Sequence, residues 1–355
     1  MTQVDRHIPR TQGGTFLKKM PVTTFLRDTF FPRPETFPTR KIELDVRKGG
    51  YIIAPFVAPL VNGILMEREG YTTKEYEPPT IAPKRVLDPK VLEKTTPGEH
   101  THTLMTPEER QQYYIEQDMQ EMNDSIDRTE ELMVAQVLTT GKFTGRGYYS
   151  EDLTKYVEFE VNYGFTQKEV LSAGAKWDQG TSTKYADLKR AITAVRKAGY
   201  NPSTVVLGDT AWNLLSADAE FIAKLDSRRI ELGMIAPEVR TQNGNGLVYL
   251  GDLTELGVQL WAYYAWYKDV DGAVKRFIPD DHVVVLPGEV GDIAYGAITY
   301  LEQTSFTDGH YVTYEGTRIP RTMLNLQNNV KEMVLAAKPI PRPFDVDSWY
   351  VLDVV

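Results

Sequence analysis

The chain has 355 residues, 41% of them hydrophobic and 25% charged, with a formal net charge of −9; that is room for two or three domains and the composition of an ordinary folded protein. Cysteine is absent, which excludes disulfide scaffolding, thiolate catalysis and cysteine-ligated metal centres together, and no apolar run reaches the roughly 18 residues of a membrane span. The charge is uneven: residues 1–94 carry 16 Lys and Arg against 11 Asp and Glu, and the remainder carries 24 against 38. A basic front and an acidic body suit association of like subunits, and an acidic body argues against tight wrapping of nucleic acid.

The first twenty residues, MTQVDRHIPRTQGGTFLKKM, lack the apolar stretch of a secretory signal, and cytosolic synthesis is the natural reading. Residues 1–38 are rich in Pro, Thr and Arg, and FFPRPETFP (30–38) blocks regular helix, so this segment reads as an extended arm. Residues 41–90 follow as strand-like pieces broken by Gly and Pro. In KIELDV (41–46), Ile42, Leu44 and Val46 alternate with Glu43 and Asp45, a strand buried on one face. No amphipathic helix covers this excursion, and a lone hairpin is marginal in water. It needs a surface to lie on.

Residues 106–140 carry the strongest helix signal. Thr106 is placed as N-cap, Pro107 takes the first helical position, Glu109 closes a capping box, and Gly141 marks the end. Ile115, Met119, Met122, Ile126, Met133 and Val137 form one narrow apolar stripe; nine acids and two bases lie between 107 and 131. A helix of this length, about 50 Å, outruns a compact domain of ~40 Å. It reads as a spine.

After it, YVEFEV (156–161) alternates with Val157, Phe159 and Val161 inward. A helix is expected over 184–198 with Leu188, Ile192 and Val195 on one face, then strand TVVLG (204–208), then a helix capped by Asp209. VQLWAYYAWYKDVDGAVKRFI (258–278) reads as one hairpin around Asp271-Gly272. HVVVLP (282–287) is a buried strand. The mixture of helices with mostly antiparallel strands predicts an α+β fold.

Candidate chemistry is thin. Asp280, Asp281 and His282 are residue types that bind zinc or move protons, but Pro279-Asp280-Asp281 is turn chemistry leading into a strand. The five histidines, His7, His100, His102, His282 and His310, show no metal-ligand spacing. No phosphate loop or nucleophile elbow occurs. The expectation is a protein without catalytic residues, bound metal or cofactor.

The order of arm, unsupported hairpin, acidic spine, α+β body and a chain end returning to strands resembles the major capsid proteins of tailed bacteriophages, and specifically the lambda-type major capsid protein E family. The resemblance runs from FLRDTFF (25–31) onward. It is carried by VAPLVNG and EREGYTTKEYEPPTIAPKRVLDP in the hairpin, EELMVAQVLTTGKF (130–143), VNYG (161–164), KLDSRR (224–229), FIPDDHVVVL and MLNLQNN (323–329). It implies a Hong Kong 97-type capsid fold and self-assembly into hexamers and pentamers that close an icosahedral head around double-stranded DNA, without sequence-specific DNA binding or a membrane. On that template, 1–38 is an N-arm, 39–92 an E-loop reaching over a neighbour, 93–164 a peripheral domain with the spine, 165–310 an axial domain, and 311–355 a return to the peripheral domain.

Partners implied by the resemblance are a portal at one vertex, a decoration protein and a separate scaffolding protein, since only some twenty-five residues precede the family-like start. Assembly in the host bacterial cytoplasm and residence in the virion go with them. Lys48, Lys74 and Lys84 are candidates for the lysine–asparagine cross-links of another branch, although lambda-type shells rely on decoration proteins instead. Subunit-contact candidates are the bases Arg27, Arg33, Arg40, Lys41, Lys48, Lys74, Lys84 and Arg85, set against the spine acids Glu116, Glu121 and Asp124. An encapsulin-like compartment shell and a tail or baseplate protein stand as alternatives.

Overall fold

The computed structural model describes residues 22–39, 41–47, 71–92, 106–150, 152–225, 246–303 and 309–355. The spine is one helix, Pro107–Thr140, with the Thr106–Glu109 capping box formed in both directions and Gly141 left-handed at φ +68°. A Cβ on Gly141 would fall 2.0 Å from the Cβ of Phe165. Glycine therefore serves twice here, for the turn and for the close approach.

The two halves of the spine live in different surroundings. Met122 and Ile126 pack on Met333, Leu335 and Ala337, with Ile115 and Met119 half-buried at the edge of that cluster. Met333 and Leu335 come from the sheet formed by Ile319–Asn325, Val330–Ala336 and Lys84–Leu87, and Ala337, just past its middle strand, bridges to Ile81. Residues 84–87, placed with the hairpin by sequence, thus lie against the spine through strand Val330–Ala336. The second half, from Glu130, enters the main core, where Met133, Val134, Val137 and Leu138 are buried.

A six-stranded sheet organises that core. Its order is Lys168–Val170, Tyr350–Asp353, His282–Leu286, Thr204–Leu207, Val258–Tyr263 and Leu247–Leu253. His282–Leu286 runs antiparallel to both neighbours, Val284 facing Val206 on one side and Val351 on the other. The strand alternation sorts side chains between two layers. Val205, Leu207, Val283 and Val285 join Leu188, Ile192 and Val195 of helix Lys184–Lys197, whereas Val206, Val284, Leu286 and Val351 join Val134, Val137 and Leu138 of the spine. Both faces are covered, which is why these strands read as unbroken valine runs. The chain's last strand closes the same sheet, and Trp349 beside it donates to the Leu138 carbonyl at 3.0 Å while stacking on Phe165.

Four expectations are corrected. The arm is not extended throughout: Phe25–Phe30 is a short helix, and Phe25, Leu26, Phe30 and Phe31 are in the main core. Pro34–Phe37 then pairs in parallel with Gly291–Gly296. The hairpin read over 258–278 divides, because Val258–Tyr263 pairs with Thr204–Leu207 and Leu247–Leu253; only Trp266–Lys268 and Val274–Arg276 turn around Asp271-Gly272. Gly208, not Asp209, is the N-cap of helix Asp209–Ser216, and the Asp209 carboxylate instead meets Arg276 at 2.6 Å. Val157 is exposed although Val161 is buried, because among the described residues Tyr156–Asn162 pairs only with Lys142–Tyr148. Only the root of that two-stranded ribbon reaches the core.

Candidate functional site

The aspartates and histidine of the 279–282 turn hold structure. The His282 N–H donates to the Pro279 carbonyl at 3.2 Å, and the Asp281 carboxylate lies 2.8 Å from His282 Nδ1, which fixes a proton on that nitrogen. Asp280 contacts Arg276 Nε at 2.6 Å but off the axis of a hydrogen bond, an ion pair by proximity. Strand register adds Asp353 opposite His282, and one ligand atom from each of Asp281, His282 and Asp353 lies within 4.8 Å of the others. The Lys168 ammonium is 3.5 Å from His282 Nε2. Asp353 was invisible to spacing arguments because only sheet pairing brings it to His282.

The acids of the spine fall into two groups. The inner group is a buried hub. Glu130, 1% exposed, and Glu131, fully buried, stand where the sequence stripe skips between Ile126 and Met133. Arg318 donates to Glu130 at 2.7 and 2.9 Å and to Asp127 at 2.7 Å. Arg27 reaches Asp127 at 2.8 Å and Glu130 at 3.0 Å, and the Tyr295 hydroxyl donates to Glu130 at 3.0 Å. Glu131 accepts from the Leu26 and Arg27 backbone N–H groups, both at 2.9 Å, and from the Tyr263 hydroxyl at 2.7 Å. Burial nonetheless pushes its carboxyl up to about 7, against the pull of those donors and of Arg27. Four separate parts of the chain are thereby tied to the spine. The gap at 129–130 in the apolar stripe was the available signal for Glu130; Arg318, Tyr295 and Tyr263 had none.

Of the outer group, Glu116, Glu121 and Asp124 line a groove of about 2140 Å³ running along the spine. One wall is the helix, with Tyr113, Gln117, Gln120, Asp124 and Arg128; the facing wall comes from the ribbon 142–162 and the hairpin 266–276, with Glu158, Glu160, Trp266 and Asp269. Nine acidic and five basic side chains line it, so the trough favours a basic occupant. Glu75 and Tyr76, at the base of the hairpin Ile42–Arg47 with Tyr71–Tyr76, also line it, and the Tyr76 hydroxyl donates to the Asn162 carbonyl at 2.7 Å.

The predicted contact residues separate accordingly. Arg27 and Arg85 reach their own spine, Arg85 meeting Glu121 at 2.7 Å and Asp118 at 4.0 Å. Lys84 pairs with Glu332 at 3.0 Å, Lys41 with Glu75 at 2.8 Å, and Arg33 with Glu289. Lys74 lies opposite Leu44 in the hairpin. Glu116 accepts from Gln112 at 2.7 Å, and Asp124 faces the groove. Arg40 and Lys48 lie outside the described residues, as do His100, His102 and VAPLVNG. The charge match foreseen between subunits is met within the chain at Arg27 and Arg85, because the arm folds back and strand Lys84–Leu87 runs beside the helix.

Comparison with known proteins places this geometry. The model of the family described as phage major capsid protein E matches residues 14–354. The major capsid protein of Enterobacteria phage P21 is 24% identical over 352 residues, 95% of this chain and 96% of that protein. The major capsid protein of Escherichia phage lambda is 25% identical over 263 residues, 74% of each. A crystal structure of a prophage capsid protein from Escherichia coli CFT073 superposes with a TM-score of 0.67 at 21% identity, covering 95% of this chain and 94% of the other.

Proposed function

The chain belongs to the phage major capsid protein E family, and from that premise we propose how its copies join. Its role is that of the shell-forming subunit of a phage head, structural and not catalytic, and its α+β architecture is the Hong Kong 97-type capsid fold. In the proposed assembly the subunits form hexamers and pentamers, and the trough along each spine receives the hairpin segment of a neighbouring copy. The arrangement that carries this reading is a two-stranded hairpin, Ile42–Arg47 with Tyr71–Tyr76, that among the described residues pairs only with itself and whose base opens onto an acidic trough. A portal at one vertex, a separate scaffolding protein, a decoration protein and packaged double-stranded DNA complete the proposal, with assembly in the host cytoplasm. Among the described residues no helix is long and apolar enough to cross a membrane.

The double variant Glu116→Lys/Asp124→Lys tests the trough. Both side chains lie on the outer half of the spine and neither belongs to the buried hub, so thermal unfolding should move by less than about 1 kcal/mol equivalent. Closed shells should give way to free capsomers in electron micrographs. A yield of shells equal to the parent's would remove the trough from the assembly contact.

A further inference from the structure

Glu131 does something the shell reading does not require. Its carboxylate stands in for an N-cap of helix Phe25–Phe30, taking the Leu26 and Arg27 N–H groups that the helix itself leaves unpaired; Thr24 makes no side-chain cap. The third donor, Tyr263, belongs to the central sheet. One buried carboxyl therefore joins arm, spine and sheet.

We infer that Glu131 is a proton-controlled clasp between the N-terminal helix and the spine, firmest when its carboxyl is protonated and loosened as that carboxyl ionises. The hydrogen bonds permit both states. In the ionised form the two oxygens accept from all three donors. In the neutral form the protonated Oε1 donates to the Tyr263 oxygen, whose hydroxyl reverses, while Oε2 still accepts from Arg27. Burial separates the two states: ionising this fully buried carboxyl costs more than its three donors and Arg27 return.

The charged neighbours do not reverse this. Arg27 faces Glu131 from the arm, and its guanidinium is already shared between Asp127 and Glu130. Arg318 and Tyr295 are turned to Glu130, and among the described residues Tyr263 is the other titratable group in contact with Glu131. When the short helix lifts away, Glu131 meets water and returns to the ordinary carboxylate range. The closed state thus binds the proton more tightly than the open one. The clasp's contribution is complete below that ordinary range and is lost as pH rises through about 7. Opening should accordingly become about tenfold easier per pH unit between roughly pH 5 and 7, then level off.

Hydrogen exchange of the peptide spanning residues 22–31, measured by mass spectrometry on the full chain and corrected for intrinsic rates, tests this. Protection should fall with pH across that window in the parent. It should be flat in Glu131→Gln, which cannot ionise. In Tyr263→Phe, which removes one donor and keeps the ring, the midpoint should move to higher pH. A pH-independent parent, or a Tyr263→Phe midpoint that stays in place, overturns the clasp; these two comparisons decide the matter even if Glu131→Gln fails to fold.

Discussion

Replacing Arg318 with methionine should lower the free energy of unfolding by about 3–5 kcal/mol, the range for breaking a buried ion pair by removing one partner. The guanidinium makes three charged contacts at 2.7–2.9 Å with Asp127 and Glu130, and Glu130 is 1% exposed. Without Arg318, Glu130 retains one contact from Arg27 at 3.0 Å and the Tyr295 hydroxyl, too little to compensate a desolvated charge. Methionine keeps most of the length and apolar volume, so the loss reports the charge and not a cavity. Urea unfolding followed by tryptophan fluorescence is the measurement. The three-residue comparison with Arg85→Met, whose partners Glu121 and Asp118 lie on the outer spine, should show a change of only about 0–1 kcal/mol. The same kind of pair is strong or weak according to its access to water.

Removing residues 48–70 and joining Arg47 to Tyr71 through two or three turn residues should abolish closed shells and leave the body folded. Arg47 and Tyr71 are register partners at the end of the hairpin, so a tight turn can close it there without disturbing the pairing below. The joint lies beyond the strands that reach the spine, since Lys84–Leu87 and the Ile81–Ala337 bridge belong to the body. Cutting away all of 41–90 would remove those strands too and confuse misfolding with failed assembly. The expected product is a protein with the parent's circular dichroism and thermal midpoint that sediments as monomers or single capsomers. Intact shells from this variant would mean that the segment makes no essential contact between subunits.

Much of this architecture was legible because local chemistry agreed with the tertiary outcome. Thr106, Pro107, Glu109 and Gly141 fix the ends of the spine by backbone requirements that no packing needs to override. The valine runs at 204–207 and 283–286 announced strands covered on both faces. Pairing between strands was a different matter. Nothing local tells Val258–Tyr263 to choose Thr204–Leu207 over the other arm of its own apparent hairpin, and the strong Asp271-Gly272 turn drew attention to the nearer partner. The prolines of 30–38 likewise hid a short helix whose phenylalanines are core residues.

The acids of the spine show the limit most clearly. Counted together they looked like one solvated band, yet Glu130 and Glu131 are buried and Glu116 and Glu121 are exposed. Their position on the helix separates them: Glu130 fills the gap in the apolar stripe between Ile126 and Met133, and the helix from there on is covered on most sides. What covers them comes from residues 25–27, 263, 295 and 318, and no spacing rule joins those positions. The same long-range folding explains why Arg27, foreseen as a contact to a neighbour, spends its charge inside its own chain.

Electron microscopy of the 355-residue protein, produced alone and, in a parallel preparation, together with the products of the neighbouring genes, asks the central question most directly. Closed particles with five- and six-fold clusters of one 40.3 kDa polypeptide are the predicted image. A solitary, monodisperse molecule in both preparations at every concentration would contradict the account.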